Sequence, residues 1–137
     1  MIQLRKLIAF AFWELRRILN AFAGDSWLDF RAMALLVCTQ VALLLSLFGT
    51  ASILTRSSLL PPQGLASAFF GLVLAATVSA LNYYGIQYKD RWKQFESEFD
   101  GYSKSRKAIG GLVMIVLPIL APMTSIWVAS KMAQLSL

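Results

Sequence analysis

Two kinds of pattern share this chain. Over residues 3–22, "QLRKLIAFAFWELRRILNAF", apolar positions recur with the spacing of a helix. At about 100° per residue, Leu4, Leu7, Ile8, Ala11, Leu15, Ile18, Leu19 and Phe22 share one side. Gln3, Arg5, Lys6, Glu14, Arg16, Arg17 and Asn20 share the other. Beyond this segment the periodicity gives way to runs with no charged side chain at all, at 32–55, 57–88 and 108–130. About 20 mostly apolar residues suffice to cross a bilayer, so each run is long enough for a transmembrane helix. The predicted fold is therefore an all-α integral membrane protein. It has an amphipathic interfacial helix over 1–24 and a three-span domain over 25–137, with spans near 32–54, 65–88 and 108–130.

Breaks in the pattern place the turns. Gly24 suits the end of the first helix, and Asp25 or Ser26 suits the cap of the next. "WLDF" leads through Arg31 into the first span, with Trp27 and Phe30 as interfacial aromatics. In "LLPPQG", Pro61 and Pro62 stop a helix, so the chain turns and re-enters near Gly64 or Leu65. Pro118 and Pro122 fall inside the third span. Each removes a backbone donor, which predicts a kink unless neighbouring groups satisfy the freed carbonyls. Trp127 and Lys131 read as an outer anchor.

Two aromatic features cut across this plan. Phe10 and Trp13 interrupt the polar face of the first helix. A helix at headgroup level, with Phe10 and Trp13 at the boundary and Arg16 and Arg17 outward, accommodates both kinds of residue. Packing on the protein's own surface is the other reading, and the two are compatible. The second feature is the charged segment 89–107 between spans two and three. Tyr84, Tyr88, Trp92, Phe95, Phe99 and Tyr102 recur at spacings of 4, 4, 3, 4 and 3, an aromatic seam on one helical face. The spacing predicts that span two continues into the cytoplasm by roughly three turns. Gly101 is its stop, Ser103 to Lys107 form the turn into span three, and the N-terminal helix is the seam's partner.

Charge then orients the chain. The segment up to Arg31 carries five basic residues and 89–107 carries six, against Arg56 and Lys131 elsewhere. The positive-inside rule predicts a multi-pass protein of the cell inner membrane, with a cytoplasmic N-terminus and an external, periplasmic C-terminus. The net charge of +6 is explained by this asymmetry, and basic residues interleaved with acids in short segments argue against nucleic acid. Arg5 and Lys6 followed by "AFAG" resemble a signal peptide. However, Glu14, Arg16 and Arg17 interrupt any apolar core, so the segment is expected to be retained.

The chemistry is sparse. There is no histidine, and Cys38 stands alone inside the first span, where it packs as a small apolar residue. No Asp, Glu, Lys or Arg lies within the spans, which leaves no intramembrane proton relay. No catalytic, cofactor or metal site is assigned. The intramembrane amides Gln40 and Asn82 seek partners and are expected to join spans one and two, with pore lining as the other use. Ser67, Gly71, Ala75 and Ser79 repeat every fourth residue on span two, a small-residue face for close helix contact within the chain or between subunits.

The plan of an N-terminal amphipathic helix, three spans and a charged inner loop, with "SRKAIGG" at the third membrane entry, resembles the layout of bacterial diacylglycerol kinase. That family's catalytic glutamates have no counterpart in "SALNYYGIQYKDR", so the resemblance implies layout and no kinase activity. The layout is also similar to three-span immunity proteins against pore-forming colicins. Together these features predict a small non-enzymatic membrane protein that acts by helix packing. It would be an accessory subunit of a membrane complex or an immunity-type protein, in contact with the lipid bilayer and as a homo-oligomer or complex subunit. The alternative is an oligomeric pore, holin-like or a defence effector.

Overall fold

The computed structural model describes residues 2–24, 26–61 and 64–136. It is all-α, with no strand among these residues. α1 spans Ile2–Ala23, α2 Leu28–Thr55 and α3 Leu65–Asn82. A π turn at Tyr83–Gln87 and a 3₁₀ stretch at Tyr88–Phe95 lead to the short α4, Glu96–Asp100. α5, Lys104–Gln134, completes the chain. Three helices are long and apolar enough to cross a membrane, as the uncharged runs predict.

α1 ends where Gly24 takes a φ of 74°, a left-handed conformation that glycine adopts without a Cβ penalty. The cap of α2 falls one residue later than Ser26. Asp25 lies outside the described residues, Ser26 makes no cap, and Trp27 occupies the position with φ 57° and no side-chain bond. α2 instead begins at Leu28, four residues before the uncharged run, and Asp29 places a carboxylate against its positive end. At the far end Ser52 is fully buried. Its hydroxyl donates to Phe48 O and accepts from Leu59 N at 2.9 Å, which pins the turn after α2. Pro62 lies outside the described residues. Gly64, with φ 118°, precedes α3, so re-entry falls at the expected residue.

α2 and α5 run parallel and pack together along much of their length, whereas α3 runs antiparallel to α2 and packs chiefly on that helix. The spans thus form a row, α3–α2–α5. Because α3 and α5 flank α2 on opposite sides, residues 83–103 must cross beneath α2. α1 lies against this crossing segment and against α2 and α5, which makes a platform at one end of the row. The turn after α2, the start of α3 and the end of α5 lie at the other.

That crossing corrects the expected straight extension of span two. α3 stops at Asn82 rather than near residue 88, and Lys89 and Asp90 both take φ 52°, outside helical geometry. The helix breaks because the chain must turn sideways to reach α5. Basic side chains satisfy carbonyls freed at the break: Arg5 Nε donates to Gly85 O and Arg91 Nη1 to Tyr84 O, each at 2.9 Å. Cations at a helix C-terminus are also favoured by its dipole. The turn into the third span is shorter than expected, too. Ser103 is an N-cap whose Oγ accepts from Arg106 N at 3.3 Å, so Lys104 to Lys107 already belong to α5. Pro118 and Pro122 sit inside this one helix and do not divide it.

Candidate functional site

The platform is built from aromatic side chains of two segments that meet edge to face. Phe12 packs on Trp92 with ring centroids 5.7 Å apart, Phe10 on Phe99 at 5.3 Å and on Tyr102 at 5.5 Å. Trp13 meets Phe99 at 5.7 Å, and Phe95 flanks the same ring. Phe12, Trp92 and Phe99 are fully buried or nearly so. Phe10 and Trp13 therefore pack against the protein's own aromatics, the second of the two readings of this helix. They form a second apolar face of α1, which Trp92, Phe99 and Tyr102 cover. Arg16 and Arg17 do not point freely outward either. Arg16 stacks over Trp92 at 4.6 Å and bonds Asp29 at 2.5 Å, while Arg17 bonds Glu14 at 2.7 Å and Lys107 O at 3.2 Å. The face that remains open on α1 carries Leu4, Leu7 and Phe22.

The seam itself divides at the backbone break. Trp92, Phe95, Phe99 and Tyr102 face α1. Tyr84 and Tyr88 instead cluster with Tyr83, with centroids 5.3 to 6.2 Å apart, and Arg91 lies 5.3 Å over Tyr88. Left-handed backbone at Lys89 and Asp90 rotates the two halves away from a common face.

Glu14 is the most unusual side chain in the platform, and the sequence pattern placed it on the solvent-facing side. It is fully buried, with Oε2 bonded to Arg17 and Oε1 without a hydrogen-bond partner. Burial pushes its pKa above the usual carboxylate value, against the opposing pull of Arg17 and Lys107. Gly110 and Gly111 of α5 make room for it. A Cβ on Gly110 would stand 2.8 Å from the Phe10 ring and 3.4 Å from Glu14 Oε1. The "GG" pair in an apolar run was the available signal, since such a pair marks a close approach.

Within the spans, Gln40 and Asn82 meet. Asn82 Nδ2 donates to Gln40 Oε1 at 2.5 Å and to Val78 O at 2.9 Å, which holds α3 on α2. The closest helix contact lies elsewhere, between α2 and α5. Ser46 and Ser125 hydroxyls are 2.9 Å apart, and Ser125 also donates to Ala42 O at 2.7 Å. A Cβ on Gly49 would collide with Val128 Cγ1. The spacing of Ala42, Ser46 and Gly49 carried that signal, which the longer run on span two overshadowed. Of that run, Ser67 is exposed, Ala75 and Ser79 are half-buried, and nothing lies within 4 Å of where a Gly71 Cβ would stand. Cys38 is exposed on α2 rather than packed between helices.

Two cavities adjoin at the platform. One, of about 770 Å³, lies between α1, α2 and α5, with an apolar lining that runs from Arg106 to Pro118. The other, of about 460 Å³, is a vestibule bounded by Gln3, Lys6, Glu98, Tyr102 and Arg106. Lys6 pairs with Glu98 there, and the Arg106 guanidinium lies 3.9 Å over the Tyr102 ring. Among the described residues no three metal-ligating side chains converge. No family model, curated protein or solved structure matches the chain.

Proposed function

We propose that the chain is a small non-enzymatic protein of the inner membrane that acts by packing α3 against a helix of a partner. The partner is a subunit of a membrane complex, a second copy, or an intruding protein that this one blocks. One observation carries the reading: α3 is held along a single edge, and its small-residue face at Gly71 is filled by no helix of the chain. In lipid, apolar exposure alone does not drive association, because the surrounding tails are equally apolar. Close backbone approach at small residues does. The pore reading is less well supported, since Gln40 and Asn82, the strongest polar groups within the spans, are turned on each other.

The test compares two leucine substitutions by mass in nanodiscs and by crosslinking yield in native membranes. Gly49→Leu is expected to disrupt the fold of the single chain by wedging α2 from α5. Gly71→Leu is expected to leave the single chain folded while abolishing its association with the partner. If Gly71→Leu preserved every native assembly, α3 would not be the docking helix.

A further inference from the structure

The cavity between α1, α2 and α5 is a groove with two chemically distinct ends. From Ser103 to Pro118 it follows α5 for about 22 Å at 1.5 Å per residue. Half of a hydrocarbon core about 30 Å thick is shorter than this, so the groove reaches from the interface to the depth of one leaflet. Its long part is lined by Leu36, Leu43, Ile109, Val113 and Leu117, with Leu43, Ile109 and Val113 open on its outer side. Its mouth is cationic. Arg106 lines both the groove and the vestibule. None of the carboxylate pairings among the described residues involves it. Lys6 and Glu98 neutralise each other in the vestibule, so the mouth holds one uncompensated positive charge, beside the Ser105 hydroxyl.

We infer that this groove binds an anionic phospholipid, with its phosphodiester at Arg106 and one acyl chain lying along α5 toward Pro118. A single guanidinium matches the single negative charge of a phosphodiester, and its planar fork suits two phosphate oxygens at once. Stacking on Tyr102 holds the guanidinium at the mouth without consuming its hydrogen-bond donors. Basic pockets between membrane helices at the headgroup level recognise lipids in this way. The volume falls within the range of ordinary ligand cavities. An apolar partner helix in the same groove would leave the Arg106 charge unanswered, whereas one anionic phospholipid supplies both the apolar chain and the charge. A lipid is therefore the occupant assigned. The inference does not depend on what α3 contacts.

The experiment offers phosphatidylglycerol and phosphatidylcholine in equal amounts to the full chain and reads retained lipid by native mass spectrometry. The expected result is a single tightly held lipid, with phosphatidylglycerol favoured about tenfold, because the choline cation of phosphatidylcholine offsets the pull of its phosphodiester on Arg106. Arg106→Gln brings the preference close to parity, and Arg106→Lys restores part of it. Val113→Trp fills the groove and lowers retention of both lipids. Lys104→Gln, in the same helical turn but outside the groove lining, changes nothing. Equal retention of the two lipids by the unaltered chain would overturn the assignment. So would an equal loss of preference in Lys104→Gln, which would signal bulk charge. Crosslinking of a polypeptide from Val113 would show a partner helix in the groove and would overturn it as well.

Discussion

Glu14 is a fully buried carboxylate with one cation bonded and one oxygen without a protein partner, wedged against the two glycines that open α5 to it. Desolvation raises its pKa above 4.5, so the folded state binds a proton there more tightly than the unfolded chain does. The sign follows. Stability from this group is fully present below the unfolded value and is lost as pH rises through the folded value. Glu14→Gln removes the charge and keeps the shape. The variant is expected to melt above the unaltered protein near neutral pH, with the gap narrowing as pH falls toward 4.5. Thermal melts of both proteins across that window check it, and a gap independent of pH would contradict the cause assigned here. Helical periodicity placed Glu14 on the polar face, and that much was sound for its neighbours Arg5 and Lys6, which are only half-buried. The aromatic spacing did point to the N-terminal helix as the seam's partner, but periodicity could not tell that the contact would reach round to Glu14 on the polar face.

At the scale of elements, the seam shows why spacing alone misjudged the region after span two. Intervals of 3 and 4 are satisfied on each side of Lys89 and Asp90, so the sequence series runs on while the backbone turns. Two consecutive non-glycine residues at φ 52° cost roughly 1–2 kcal/mol each. Packing beyond the turn offsets this, and such long-range compensation leaves no local trace in the sequence. The divided seam makes unequal predictions for its members. Trp92→Ala removes a ring buried against Phe12 and under Arg16, and such a truncation typically costs about 3–5 kcal/mol. It is expected to release the segment around Gly101 to proteolysis. Tyr84→Ala, an exposed member of the other cluster, is expected to leave cleavage near Gly101 unchanged. Similar cleavage of both variants would indicate one continuous seam instead of two clusters. The spans were legible from their uncharged runs because bilayer length is a constraint a composition can express. Their order in a row was not, since it depends on which small residues find each other.

At the scale of the whole molecule, the arrangement concentrates charge at one end. α1 and residues 83–103 lie together there, and these segments hold most of the basic side chains and every described acidic one except Asp29, itself bonded to Arg16. Many of these charges are engaged in the platform: Arg5 on Gly85 O, Arg17 on Glu14, Lys6 on Glu98. The same cations that close the platform thus also form the asymmetry from which the positive-inside rule orients the chain. The other end offers Arg56 and Lys131, the latter 5.8 Å over Trp127 in an anchor suited to an interface. Translocating the platform would require moving its whole cluster of charges across the hydrocarbon, whereas the opposite end carries little that resists. A reporter inserted near Gly101 is therefore expected to register the cytoplasm, and one fused after Leu137 the external side. Neutralising Arg56 leaves that pattern unchanged. If the reporter after Leu137 registered the cytoplasm while the one at Gly101 did not, the platform would face outward, and the orientation drawn from its charge would be wrong.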